Sequence, residues 1–469
     1  MTESIFNPYN TDTICALATP PGVSAIALIR ISGPGTIALC KTVFHPRAAT
    51  LMVEDMASHT IRLGTIEGDD GMIDEVLLTL FIRPSSYTGE DVAEISCHGS
   101  PYIQQQILEL LISRGARLAK PGEFTLRAFL NGKYDLSQAE AVADLITAGS
   151  KSSHDLALRQ MKGDYSRKIR LLRDELLNFA SLLELELDFS EEDVEFADRN
   201  EMMLLLNGLK EEISSLISSF SIGDVMKKGI PVAIIGKPNV GKSTLLNAIL
   251  NEERAIVSEI PGTTRDAIED TVVIDGTSFR FIDTAGLRHT TEPVEVMGVE
   301  KTLEKVRQAS IILYVFDIST STRDELLADL ADIRKQYDDG TRRFLIIGNK
   351  TDLLVEAPEG FVDLVEMECI FVSAKRKENI NMIAESLLRS VSLDNISDQT
   401  IISNVRHYEA LKNALRSLED VSAGFDNKLS TDLIAVDLRK ALHHLAEITG
   451  DISSDDLLNT IFSRFCIGK

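Results

Sequence analysis

The sequence predicts a multidomain chain of mixed α/β and α architecture: an N-terminal α+β domain, a helical domain, and a doubly wound α/β domain inserted into the helical one. Three observations carry this. With 469 residues, the chain exceeds what one hydrophobic core usually supports. Its hydrophobic period changes from strand-like to helical near Gly132. Between Lys228 and Val391 the pattern becomes strand, Gly-rich turn, helix, repeated, before helical periodicity resumes.

Taken in order, the first segment (1–132) contains strand-like runs at Ser24 to Ile31, Val76 to Ile82 and Asp91 to Cys97, separated by Pro and Gly, with one helix expected over Tyr102 to Ser113. Residues 133–227 form the first part of the helical domain. There, Leu171, Leu172, Glu175, Leu176, Phe179, Leu182 and Leu183 recur at helical spacing with few breakers. Residues 228–391 hold five short apolar runs: Val232 to Ile235, Phe279 to Ile282, Ile311 to Phe316, Phe344 to Ile347, and Ile370 to Val372. Such runs suit buried parallel strands. Residues 392–469 return to helix, with Ser453 expected to cap a turn that has Asp456 at its third position. Two separate helical domains remain an alternative to one interrupted domain.

An excess of 72 acidic over 48 basic residues, net −24, argues against broad capture of nucleic acid, so any RNA contact should be local or shared. The five cysteines (Cys15, Cys40, Cys97, Cys369, Cys466) are scattered and odd in number, with no C-x-x-C pair. They suggest neither a disulfide framework nor a zinc site, and fit a reducing cytosol. No apolar run approaches the roughly 18 residues that span a bilayer, and the N-terminus lacks a secretory pattern. A cytoplasmic protein without membrane association is expected.

The chemistry concentrates in the inserted domain. Gly236-Lys237-Pro238-Asn239-Val240-Gly241-Lys242-Ser243 follows one apolar run and precedes a helix beginning near Thr244, the context of a phosphate-binding loop (P-loop). Its glycines let backbone N–H groups turn toward phosphates at a helix N-terminus. Lys242 supplies a point charge to the outer phosphates and Ser243 a hydroxyl to Mg²⁺. Asp283-Thr284-Ala285-Gly286 ends the next run, 40 residues after Ser243, where Asp283 can hold the metal through water and Gly286 can offer its N–H to a γ-phosphate. Asn349-Lys350-Thr351-Asp352 closes a later run. The Asp352 carboxylate can accept from both N1–H and the 2-amino group of guanine, donors that adenine lacks there. Ser373-Ala374-Lys375 completes a base pocket, so the order is that of a GTPase, binding GTP and GDP.

Leu287 follows Gly286 where a glutamine would orient attacking water, and an alkyl chain cannot do that. Other groups must act, with candidates in Gly262-Thr263-Thr264-Arg265-Asp266 and in the polar stretch from Arg288 to Glu300. Thr264 can offer its hydroxyl to Mg²⁺. Asn239 is either a monovalent-cation ligand beside the phosphates or a turn-stabilising asparagine. The acidic stretch Glu184 to Glu195 reads as a solvated face. His98 beside Cys97 lacks an identifiable orienting group and is assigned no catalytic role.

These residues resemble the TrmE-Era-Septin-like GTPases. The chain is further similar to the tRNA-modification GTPase family MnmE (TrmE) through Ala18-Thr19-Pro20-Pro21-Gly22, Arg30-Ile31-Ser32-Gly33, Tyr87-Thr88-Gly89-Glu90-Asp91, Lys120 to Thr125, Arg127 to Lys133 and the terminal Phe465 to Lys469. The resemblance implies an N-terminal domain that binds folate and dimerises. It also implies a flavoprotein partner, MnmG (GidA), which carries FAD and joins the homodimer in a heterotetramer. Together they would add an aminomethyl or carboxymethylaminomethyl group to C5 of the wobble uridine of certain tRNAs, drawing on 5-formyl- or 5,10-methylene-tetrahydrofolate. By matching positions, Asn239, Thr263 and the carbonyls near Ser258 and Ile260 would hold K⁺ in place of an arginine finger, between two facing G domains. Glu295 would orient water, with Lys242 and Asn239 also catalytic. Arg30, Glu94, Lys133 and Lys469 would bind the folate. Cys466 matches a near-terminal cysteine whose chemistry is open. From the G-domain motifs alone, a ribosome-assembly GTPase of the Era/Der type is the alternative. A folate-binding scaffold with a vestigial nucleotide site is a third reading.

Overall fold

Two seven-stranded sheets, one in each of two structural units, organise the described residues. The computed structural model describes residues 12–47, 52–69, 71–188, 199–251, 256–257, 270–282, 309–337, 342–354, 361, 368–390 and 400–468. The first unit comprises Met1–Ala143, Gln160–Leu205 and Arg416–Lys469, and the second Asp144–Arg159 and Leu206–Leu415.

In the first unit, strands β1 (Ile14–Leu17), β2 (Ile26–Ser32), β3 (Phe44–Pro46), β4 (Thr60–Gly68), β5 (Gly71–Phe81), β6 (Val92–His98) and β7 (Arg117–Leu118) pair in the order β3-β4-β5-β6-β2-β1-β7. All pairs are antiparallel except β1 with β7, and because side chains alternate across a strand, one face of the sheet packs into the core and the other bears polar groups such as Arg30 and Glu94. Ala27, Ile29 and Ile31 of β2 and Leu78 and Leu80 of β5 pack with Leu39 and Val43 of helix α1 (Thr36–Val43) and Ile107 and Leu111 of α2 (Pro101–Ser113). Proline at the first position of α2 suits a helix start, where its missing N–H costs nothing.

The helices continue as α3 (Glu123–Leu130), α4 (Leu136–Thr147), α5 (Lys151–Met161), α6 (Asp164–Asp188) and α7 (Arg199–Lys228). The apolar positions of α6 separate as a helical stripe requires: Leu172, Leu176, Phe179 and Leu183 are buried, whereas Leu171 is exposed.

The second sheet contains β8 (Ile230–Ile235), β9 (Ile256–Val257), β10 (Asp270–Ile274), β11 (Thr277–Ile282), β12 (Ile311–Asp317), β13 (Arg343–Asn349) and β14 (Cys369–Phe371), in the order β14-β13-β12-β8-β11-β10-β9. The five expected strands run parallel, and every residue of β12 is buried, as a strand covered on both faces must be. Helix α8 (Lys242–Leu250) and α10 (Ile380–Arg389) cover one face, with Leu245, Ile249, Ile383 and Leu387 packed on Val232, Leu313, Leu345 and Phe281. Helix α9 (Arg323–Tyr337) covers the other, placing Leu326 and Leu330 on Tyr314, Phe316 and Ile346.

The antiparallel strands β9 and β10 were not among the sequence expectations. Their signal was available: Asp275-Gly276 joins β10 to β11 with both residues at positive φ (46° and 78°), the two-residue hairpin turn that Asp-Gly favours.

Helices α11 (Val405–Asp426), α12 (Thr431–Thr449) and α13 (Asp455–Phe462) complete the chain, and α12 packs along α6. Gly450 ends α12 in the left-handed conformation. The cap of α13 is Ser454 rather than the expected Ser453: the Ser454 hydroxyl accepts from the Leu457 N–H, placing Asp456 at the second helical position. Among the described residues no helix is long and apolar enough to cross a membrane.

Candidate functional site

The phosphate loop links the buried strand β8 to the start of α8. Gly236 (φ 148°) and Gly241 (φ 96°) take backbone conformations that other residues rarely adopt. Space forbids a side chain as well: a Cβ on Gly236 would lie 2.1 Å from the Val315 carbonyl oxygen, and one on Gly241 would lie 2.3 Å from Asn349 Nδ2. Close packing at the loop thus requires both glycines.

Lys242 folds back over the loop, donating from Nζ to the carbonyls of Gly236 and Lys237, both at 2.8 Å. Burial lowers its pKa from the ordinary lysine value, the direction expected of a cation removed from water with no carboxylate partner among the described residues. An incoming phosphate would provide the missing negative charge. Ser243 follows in the first turn of α8, where its hydroxyl would be a suitable oxygen ligand for a hard cation. Asn239 is exposed and left-handed (φ 60°), and its side chain makes no hydrogen bond among the described residues. The local bond that would mark a turn-stabilising asparagine is therefore not formed there.

The base loop comes from the ends of β13 and β14. Asn349, 2% exposed, donates from Nδ2 to the Val240 carbonyl at 2.8 Å and accepts at Oδ1 from the Ala374 N–H at 3.0 Å. One side chain ties the phosphate loop to the Ser373-Ala374-Lys375 loop. Ser373, fully buried, donates its hydroxyl to Asp352 Oδ1 at 2.8 Å and so orients the carboxylate expected to read guanine. Lys350, at φ 70°, reaches Asp317 Oδ2 at 2.6 Å. Val240, Gly241, Lys242, Ser243 and Thr244 thus share this corner with Asn349, Lys350, Asp352, Ser373, Ala374 and Lys375, at the carboxyl ends of parallel strands where open α/β sheets hold ligands. Asp317 was not among the expected residues. An acid closing an otherwise apolar strand run was the available signal.

Asp283, Thr284, Ala285 and Gly286 lie outside the described residues, as do Ser258, Ile260, Thr263, Thr264, Leu287, Glu295 and Lys469.

On the N-terminal sheet, the antiparallel register sets Arg30 of β2 opposite Glu94 of β6, on the face away from the core. Arg30 donates from Nε (2.9 Å) and Nη2 (2.7 Å) to Glu94 Oε1, and from Nη1 to the Gly468 carbonyl at 3.2 Å. Its guanidinium lies 5.4 Å from the Tyr87 ring centroid and 5.8 Å from that of Phe124. This arginine, carboxylate and aromatic set is suited to a planar, amide-rich ring such as a pterin. Lys133 donates instead to the Pro84 carbonyl at 3.0 Å.

The neighbouring motif residues Glu123 and Arg127 serve the scaffold. Arg127, 7% exposed, is held by Asp12 (2.7 Å), Glu90 (3.1 Å) and Glu123 (3.1 Å), and Arg117 also binds Glu123 (2.7 Å). Burial pushes the Glu123 carboxyl up, but the Arg117 hydrogen bond, the Lys120 N–H and the two arginine charges outweigh it and leave it below the usual range.

The pair Cys97 and His98 shows why it carries no nucleophile. Adjacent strand residues face opposite ways: Cys97 is buried and donates toward the Ala27 carbonyl, whereas exposed His98 meets Asp74 at 2.7 Å. Burial, reinforced by the Asp74 charge, pushes the Cys97 thiol up to about 11. Cys466 is exposed and free.

Two family models match the chain: "MnmE helical domain" over residues 136–466 and "GTP-binding protein TrmE N-terminus" over residues 13–133. The tRNA modification GTPase MnmE of Cytophaga hutchinsonii is 50% identical over 461 residues, covering 98% of this chain and 98% of the relative. The same enzyme from Flavobacterium johnsoniae is 50% identical over 98% of this chain and 100% of its own. Among solved structures, the G domain of T. maritima FeoB aligns with 35% of this chain and 99% of that one, at 22% identity and a TM-score of 0.25, which carries nothing about function.

Proposed function

This chain belongs to the MnmE family of tRNA-modification GTPases, and from that premise we propose that it hydrolyses GTP to drive wobble-uridine modification together with a flavoprotein partner, MnmG (GidA). The product is an aminomethyl or carboxymethylaminomethyl group on uridine C5, built from a tetrahydrofolate one-carbon unit. The observation that best supports the nucleotide half is the Asn349 bridge, which fixes the phosphate loop and the base loop as one preformed site.

Each group at the nucleotide site then has a task. Lys242 exchanges its two carbonyl partners for phosphate oxygens, and Asp352, held by Ser373, accepts from the guanine edge. Ser243 with Thr264 would hold Mg²⁺, which screens the phosphate charge. Asn239, Thr263 and the carbonyls of Ser258 and Ile260 would hold K⁺ between facing G domains of a homodimer, and Glu295 would orient water. In the N-terminal domain, Arg30, Glu94, Lys133 and Lys469 would hold the reduced folate. A cytoplasmic setting follows from tRNA as substrate. The Era/Der-type reading is not favoured, because the resemblance extends through both domains flanking the nucleotide site.

The test is mass spectrometry of tRNA nucleosides from a strain lacking the gene. Loss of the C5 group from wobble uridine, restored by the wild-type gene and not by Lys242→Ala, is expected. Unchanged modification in the deletion strain would overturn the proposal.

A further inference from the structure

We propose that Asp317 is a positioning residue for guanine nucleotide and acts through Lys350. The inference rests on the nucleotide-site reading above and deepens it.

The topology brings the two together. Strands β12 and β13 are parallel neighbours with Asp317 opposite Asn349, so the acid ending one strand meets the lysine that follows the other. Asp317 is 8% exposed, and a carboxylate so buried is costly unless paired. It is fully engaged: Oδ1 accepts from the Ser319 N–H (3.0 Å) and hydroxyl (2.6 Å), and Oδ2 from Lys350 Nζ (2.6 Å). Burial pushes its carboxyl up, but the Lys350 and Ser319 hydrogen bonds outweigh it and hold the group below the usual range, charged at neutral pH.

The two partners are not equally constrained. Ser319 anchors Asp317 through a local turn whether or not Lys350 is present. The Lys350 ammonium has no other hydrogen-bonding partner among the described residues. Its sequence neighbours are fixed independently, Asn349 by Val240 and Ala374, and Asp352 by Ser373. In the Asn-Lys-Thr-Asp element, the lysine stem is thus the one part whose order depends on Asp317. With its ammonium held, the four-carbon stem forms a preorganised apolar edge for a flat base. Released, it must be ordered anew at each binding event, at a cost to affinity. Guanine selection itself stays with Asp352.

The experiment is calorimetric titration of GDP and of a non-hydrolysable GTP analogue into the full-length protein. Wild type, Asp317→Asn, Lys350→Met and the double variant are compared, with thermal melts as a control for folding. Asp317→Asn is expected to bind both nucleotides about tenfold more weakly and to raise KM for GTP with kcat retained. In the Lys350→Met background it should cause no further loss, because the residue through which it acts is gone. Ser319→Ala, which loosens the acid while leaving its charge, should weaken binding by a few fold and serves where Asp317→Asn folds poorly. Wild-type affinity in Asp317→Asn and Ser319→Ala, or an equal loss in both backgrounds, would overturn the inference. Failure of the wild-type protein to bind either nucleotide would instead overturn the nucleotide-site reading beneath it.

Discussion

Asn349 and Val240 are 109 residues apart in sequence and joined by a 2.8 Å hydrogen bond from the asparagine amide to the valine carbonyl. Because the same amide oxygen accepts from Ala374, the phosphate loop cannot shift without disturbing the base loop. Asn349→Ala leaves a buried carbonyl and a buried N–H unpaired. It is expected to cost about 2–3 kcal/mol of stability and more than tenfold in GDP affinity, by denaturant melts and nucleotide titration. Wild-type values in both would contradict the coupling.

The loop glycines should be as intolerant as their surroundings indicate. Gly236→Ala places a methyl group against the Val315 carbonyl of a central strand, which has nowhere to move. A loss of about 2–4 kcal/mol is expected, together with loss of nucleotide binding. A stable variant that still binds GDP would show that the loop can open.

The ion network under the N-terminal sheet gives an acid-sensitive prediction. Arg127→Ala removes a buried cation from among three carboxylates, of which Asp12 and Glu123 keep Arg117 and Glu90 keeps the Ser32 hydroxyl, and should cost about 3 kcal/mol. Glu123 titrates below its unfolded value, so the unfolded chain binds more protons in that interval. Its contribution is therefore present above the ordinary glutamate range, near pH 4.5, and is lost as pH falls through the depressed folded value. Stability measured against pH should fall in that window for the wild type and less steeply for Glu123→Gln. Parallel profiles would remove Glu123 from the account.

Hydrolysis should depend on the alkali cation. If Asn239 holds K⁺, GTP turnover is high in K⁺ and low in Na⁺, and Asn239→Ala erases the difference. A wild-type rate indifferent to the cation would refute this role.

Legibility in the sequence followed the range of the interactions concerned. The phosphate loop was readable because its chemistry is contiguous, from Gly236 to Ser243, between an apolar run and a helix. The five parallel strands were readable because burial on both faces leaves runs dominated by apolar residues, broken in the second only by Arg280. Strand β4 was not, since one face is exposed and Arg62 and Glu67 dilute its pattern. Nor was the Arg127 network, which joins Glu123 one helical turn away to Asp12 and Glu90 from two distant segments. Arg30 and Glu94 were expected together only through the family resemblance, and the sheet register supplies the physical reason that they meet. Asp317 escaped notice because its local signal, an acid closing an apolar run, names no partner; only the pairing of two strands, 33 residues apart at Asp317 and Lys350, reveals it.

Everything at the nucleotide site depends on Asp352 reading guanine beside a phosphate loop that works. The most direct measurement is turnover of GTP, ATP and XTP by the wild type and by Asp352→Asn, in K⁺ with Mg²⁺. An asparagine amide can donate to the 2-oxo group of xanthine where the carboxylate accepts from the 2-amino group of guanine. The wild type should hydrolyse GTP and not ATP, and Asp352→Asn should prefer XTP. Hydrolysis of ATP as fast as GTP, or an Asp352→Asn enzyme that still prefers GTP, would contradict the account.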